Sequence, residues 1–133
     1  MRRRSVNHRG LTLLELLMIV AMIVLLLLVS TTHLQVVRRR AIVNRMRGEL
    51  QMLGLQQASY FYDNGVYTDD VGALAARGLH VSADVTVTVN EATSQGWSAT
   101  ASHGRVGSKC YVFVGRAAPV GTATDEGTID CGE

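Results

Sequence analysis

An uninterrupted apolar segment near the amino terminus constrains the fold of this chain more than any other feature. Residues 16–29 read LLMIVAMIVLLLLV, fourteen positions without a polar side chain. Extended back to Leu11, the stretch covers nineteen residues and is interrupted only by Thr12 and Glu15. A helix of that length rises by roughly 28 Å, which is close to the thickness of a bilayer core. We therefore predict one membrane-spanning helix over residues 11–32.

Positive charge precedes this segment, and a single carboxylate lies near its start. The basic residues of the head are Arg2, Arg3, Arg4, His8 and Arg9. Such a head favours retention of this end in the cytoplasm. An ionisable group at the centre of a membrane helix costs about 2.5–3.5 kcal/mol, so Glu15 is a functional candidate although it lies near the end. A secretory signal peptide and an uncleaved signal anchor are the alternatives, but a conventional signal gains nothing from Glu15.

The residues Arg9-Gly10-Leu11-Thr12-Leu13-Leu14-Glu15-Leu16 resemble the processing site of type IV pilins and of the pseudopilins of type II secretion. The resemblance implies that residues 1–10 are a basic leader peptide, cut off between Gly10 and Leu11 by a prepilin peptidase. It also implies N-methylation of Leu11, where most of the family has Phe or Met. Glu15 would then be the assembly residue, because its carboxylate can pair with the new amino terminus of a neighbouring subunit.

The helix is predicted to continue beyond the apolar segment, as an amphipathic half over residues 33–62. Apolar side chains recur in steps mostly of three or four, at Leu34, Val37, Ala41, Ile42, Met46, Leu50, Leu53, Ala58 and Phe61. This period is typical of a helix with one buried face. The spacing places Glu49 and five arginines on the remaining, polar face.

An aromatic cluster marks the end of this helix. Four of the seven aromatic residues lie close together, at Tyr60, Phe61, Tyr62 and Tyr67. Asp63-Asn64-Gly65 between them is a turn signal. We expect the cluster to plug a junction between helix and sheet, with a subunit contact or stacking surface as the alternative.

Residues 63–133 are predicted to form a small antiparallel β-sheet domain. Its three strand candidates are Val85–Val89, Trp97–Ser102 and Cys110–Val114, with a short helix near residues 71–76. Alternation and β-branched residues support the strands, and their spacing suggests a meander. The fold class is therefore α+β: a long amino-terminal helix packed on a small antiparallel sheet, as in pilins.

Cysteine usage and charge both distinguish the carboxyl-terminal part. Cys110 and Cys131 are the only cysteines, and in an extracytoplasmic domain they predict one disulfide; two separate thiols are the alternative. Residues 1–47 carry nine arginines and one acid, whereas residues 48–133 carry four basic and ten acidic residues. This distribution does not indicate a nucleic-acid partner.

The sequence contains no constellation typical of an enzyme, and no cofactor is predicted. Its four histidines lie in separate segments, at positions 8, 33, 80 and 103. Asp125, Glu126 and Asp130 form an acidic cluster that is a weak candidate for calcium, since oxygen-rich loops suit that ion. A solvated acidic tail is the simpler interpretation.

The resemblance implies a structural subunit of a type IV pilus or similar filament. Its partners would be other filament subunits, a prepilin peptidase, an inner-membrane assembly platform and, before assembly, membrane lipid. The precursor would lie in the bacterial inner membrane and the product in an extracellular or periplasmic filament. A type II secretion pseudopilin and a membrane-anchored extracytoplasmic binding domain remain as alternatives.

Overall fold

The computed structural model describes residues 12–132, apart from the side chains of residues 29–33. Within these residues the elements follow in the order α1 (Leu13–Asn64), α2 (Val71–Ala76), β1 (Val85–Ala92), β2 (Gly96–His103), β3 (Val106–Gly115) and β4 (Asp130–Gly132). The chain divides into two compact units between Val37 and Arg38. The predicted α+β class is confirmed, and α1 ends two residues beyond the predicted Tyr62.

The described part of the first unit consists of the beginning of α1. Its apolar side chains are exposed on all faces, with Leu13, Leu17 and Leu28 at 82%, 65% and 64%. A helix that is apolar all round needs other apolar groups to surround it. Among the described residues, no helix meets the combined criteria of length and apolarity for a membrane span.

In the second unit, one face of α1 packs on the sheet. Met46, Leu50 and Leu53 are fully or almost fully buried. Their spacing of four and three residues places them on one helix face. Burial of each such side chain contributes about 1.5–3 kcal/mol, so this stripe holds helix and sheet together.

The sheet is an antiparallel meander in the order β1-β2-β3-β4. Val87 lies opposite Ala101, and Ala101 lies opposite Cys110. All three side chains belong to the same buried core. The small side chain of Ala101 in β2 shares this core with larger side chains of α1, such as Met46.

The short strand β4 was missed by the sequence analysis. It has only three residues, and its central residue Cys131 lies opposite Cys110 of β3. A three-residue segment carries no alternation that could be recognised. The strand β3 begins at Val106, four residues before the predicted start at Cys110.

The aromatic cluster at the end of α1 is only partly a plug. Tyr60 and Tyr67 pack against the core, and the Phe61 ring stacks on Tyr67 with 4.6 Å between centroids. Tyr62, in contrast, is 89% exposed. The structure therefore places Tyr60 and Tyr67 against the core as expected, Phe61 joins them through its stacking on Tyr67, and the expectation is wrong for Tyr62.

Replacement of Gly48 by alanine is expected to stabilise the second unit by about 1 kcal/mol, because glycine costs that much in a helix interior. A Cβ at Gly48 would meet no atom within 4 Å. Gly96→Ala is the matched control: its Cβ would lie 2.6 Å from the backbone nitrogen of Ala117, so it should destabilise. Thermal unfolding of both variants measures the difference; a lower Tm for Gly48→Ala would contradict the expectation.

Candidate assembly interface

The proposed processing site lies at the start of the chain. Gly10 and Leu11 fall outside the described residues. Glu15 is described, and it is the acidic residue in the first turn of α1. Its side chain is exposed among exposed leucines, including Leu14 and Leu16. A carboxylate in this position is accessible to a cation brought by another molecule.

Thr12 caps the amino-terminal end of α1, three residues before Glu15. The Glu15 backbone nitrogen donates to Thr12 Oγ1 at 3.3 Å, and the Leu16 nitrogen donates to the Thr12 carbonyl at 3.1 Å. Thr12 and Glu15 thus have the spacing of a capping box, in which Thr is followed three residues later by Glu. The sequence analysis missed this role of Thr12, although the pattern Thr-x-x-Glu before an apolar run is a recognisable signal.

The position of Glu15 is also favourable for the helix itself. The first turn of a helix carries a partial positive charge, so a carboxylate there contributes typically 0.3–1 kcal/mol. This contribution is small beside the cost of an unpaired charge in an apolar environment. Helix stability alone therefore does not account for a carboxylate at the start of this apolar segment.

The predicted disulfide is present in the second unit. Cys110 and Cys131 are bonded, with 4.0 Å between their Cα atoms and a sequence separation of 21. Arg47 Nη2 of α1 lies 3.9 Å from Cys131 Sγ. The bond fastens the carboxyl-terminal tail to β3, and the helix covers it.

The acidic residues of the tail serve its local structure. Glu126 Oε1 accepts a hydrogen bond from the Gly115 nitrogen at 2.7 Å, and Asp125 Oδ2 accepts one from Thr124 Oγ1 at 3.4 Å. Asp130 begins β4. Within residues 12–132, no group of three or more His, Cys, Asp or Glu side chains is arranged to hold a metal ion.

Glu49 is a correction to the sequence analysis, which placed it on the polar face of α1. It is 7% exposed, and its Oε1 accepts a hydrogen bond from the Ser82 nitrogen at 3.0 Å. Its Oε2 is buried without a hydrogen-bond partner among the described residues. The signal was available, because Glu49 lies three residues after Met46 and four before Leu53, on the core-facing stripe.

Removal of the Glu49 side chain is expected to destabilise the second unit by about 1–3 kcal/mol, because the Ser82 N–H would lose its acceptor in a part-buried hydrogen bond. Glu49→Gln should cost less, since its amide oxygen can still accept that bond and the buried charge is removed. Chemical denaturation measures the free energy of unfolding of the parent chain, Glu49→Gln and Glu49→Ala, and the expected order is from most to least stable. Equal stability of the alanine variant and the parent would show that the bond contributes nothing.

Comparison with known proteins gives a sequence similarity to a pilus component. No family model matches the chain. The chain is 33% identical over 98 residues to the "Type IV wide pilus major component PilA4" of Thermus thermophilus. The matched region covers 73% of this chain and 75% of that relative.

Proposed function

The chain belongs to the type IV pilin family, and we propose that it is a structural subunit of a type IV pilus or pilus-like filament. The observation that carries this proposal is the similarity to a major pilus component over most of both chains. The α+β fold, with a long amino-terminal helix and a small sheet, agrees with it. A structural role also agrees with the lack of a recognisable enzyme motif in the sequence.

Maturation is proposed to begin with cleavage between Gly10 and Leu11 by a prepilin peptidase. The basic head, the glycine and the carboxylate at Glu15 support this step. Methylation of the new amino terminus on Leu11 would follow. The precursor would be held in the inner membrane by residues 11–32, before an assembly platform moves it into the filament and to the cell surface.

Assembly is proposed to depend on Glu15. Cleavage creates a positively charged amine on Leu11, and the helices of neighbouring subunits would bring that amine to the Glu15 carboxylate of another copy. Each charge by itself is penalised in an apolar bundle, whereas the pair relieves both penalties at once. The exposure of the carboxylate among exposed leucines supports such pairing. The pair would also set the register between subunits.

The test is the intact mass and amino-terminal sequence of the full chain, extracted from membranes of cells that also express a prepilin peptidase. A start at Leu11, with or without one added methyl group, is the expected result. A start at Met1, or one after residues 30–32, would contradict processing and favour the membrane-anchored binding domain. Electron microscopy of sheared surface material then tests for filaments.

A type II secretion pseudopilin is the second candidate, because it shares the processing motif and the assembly chemistry. The similarity to a pilus component favours the pilus. Filament length separates the two, since long surface fibres are expected of a pilus subunit. Only short filaments, together with a secretion defect on deletion, would favour the pseudopilin.

A further inference from the structure

The second unit carries an unbalanced positive charge at one end of its helix. We use the name arginine collar for Arg38, Arg40 and Arg45, whose side chains are all exposed. None of the three forms an ion pair within residues 12–132. Two other arginines of this stretch are turned to the sheet: Arg39 Nη2 donates to Ser108 Oγ at 2.9 Å, and Arg47 contacts Cys131.

The opposite end of the same helix segment is acidic. We use the name acidic pole for Asp63, Asp69 and Asp70, which are all exposed. Arg77 pairs with Asp63 at 2.7 Å, whereas Asp70 Oδ1 accepts a hydrogen bond from the Ala73 nitrogen at the start of α2. The last turn of α1 has no basic residue, and its free carbonyl groups add partial negative charge.

The two charged ends cannot neutralise each other within one copy. Arg45 and Asp63 are eighteen residues apart on α1, which is roughly 27 Å along a helix. That distance is about three Debye lengths at physiological ionic strength, so the attraction between them is screened. Met46, Leu50 and Leu53 are buried between these two ends and fix the intervening part of the helix to the core, so the ends stay apart. Complementary charge must come from another molecule.

We propose that the arginine collar of one subunit docks on the acidic pole of a second copy of this chain. The chain itself supplies both surfaces, and their charges are complementary. Because the two surfaces differ, the contact is heterologous, and such a contact propagates into an open helical assembly unless it closes into a ring. The inference rests on the proposed filament function and names a contact between its subunits outside the apolar helix bundle.

Charge reversal in the full chain is the first part of the test. Arg40→Glu with Arg45→Glu should reduce the yield of sheared filaments by about tenfold or more, since like charges would then face each other. The matched control is Lys109→Glu with Arg116→Glu, the same change of charge at exposed positions of the sheet domain. Equal yields from both double variants would overturn the proposal.

Cross-linking is the second part and does not depend on yield. Asp69→Cys is combined with Arg40→Cys or with Arg45→Cys, and intact filaments are oxidised. At least one pair should give a ladder of covalent multimers longer than dimers on a non-reducing gel, whereas each single variant should give none. Filaments that show no ladder with either pair would overturn the docking contact.

Two further outcomes are distinguishable. If the parent chain makes no filaments under the same conditions, the proposed function fails and the docking contact with it. A second outcome is that the filaments give no cross-linked multimers while the arginine variants lose binding to phosphatidylglycerol vesicles. In that case the collar binds anionic lipid, and the proposed contact between subunits is wrong.

Discussion

Glu15→Ala is expected to abolish filament formation, while the proposed cleavage after Gly10 continues. In the proposed filament this change leaves the amine of a neighbouring subunit unpaired in an apolar bundle. Breaking a buried ion pair by removal of one partner costs about 3–5 kcal/mol, which corresponds to more than about a hundredfold loss in an association equilibrium. The measurement is filament yield by electron microscopy, with the amino-terminal sequence of the membrane fraction determined in parallel.

Helix destabilisation does not explain such a loss. The cap on the first turn is the Thr12 hydroxyl, which accepts from the backbone nitrogen of residue 15 and persists in the variant. The lost interaction of the carboxylate with the helix dipole is worth only about 0.3–1 kcal/mol. Glu15→Gln is the matched control, because it keeps the shape and removes the charge. Normal filaments from the glutamine variant would refute the ion pair, whatever the alanine variant does.

Loss of the Cys110–Cys131 disulfide is expected to have the largest effect on the stability of the second unit. The bond joins residues 21 apart in sequence, and a loop of that size corresponds to about 3 kcal/mol in the chain-entropy model. For a domain of about 100 residues this lowers Tm by roughly 12–24 °C. The variant carries alanine at both cysteine positions. Serine is avoided because Cys110 is fully buried, and a hydroxyl there would be buried as well.

Thermal unfolding of the full chain in detergent compares the double alanine variant with the oxidised and the reduced parent chain. The reduced parent should unfold near the variant. The strand β4 should separate first, because only three residue pairs connect it to β3. A reduced parent that unfolds within about 2 °C of the oxidised form would show that the bond adds little stability.

Much of the fold follows from local patterns in the sequence. The three-and-four spacing that includes Met46, Leu50 and Leu53 predicted the helix face that packs on the sheet, and the structure buries these residues. Alternation over Val85–Val89 predicted β1 for the same reason: a helix and a strand repeat their side-chain directions at fixed intervals. The disulfide was predictable because the chain has only two cysteines.

The candidate interface was predictable only in part. The proposed processing motif, Glu15 and the basic stretch that contains the arginine collar can all be recognised from neighbouring residues in the sequence. The sequence does not show that the three arginines of the collar form no ion pair within the described residues. Ion pairing depends on where the acidic side chains of the folded domain lie. Asp63, for example, pairs with Arg77, which is fourteen residues away in sequence.

The sequence by itself determined the long helix, the α+β class, the resemblance to pilins and the single disulfide, because each depends on composition or on residues a few positions apart. Only the tertiary structure decided that Glu49 is buried, that Tyr62 is exposed and that residues 130–132 form a fourth strand. Glu49 is held by Ser82, thirty-three residues away, and β4 is held by β3 through Cys110. Such contacts form when distant segments pack together, so a periodicity within one segment does not reveal them.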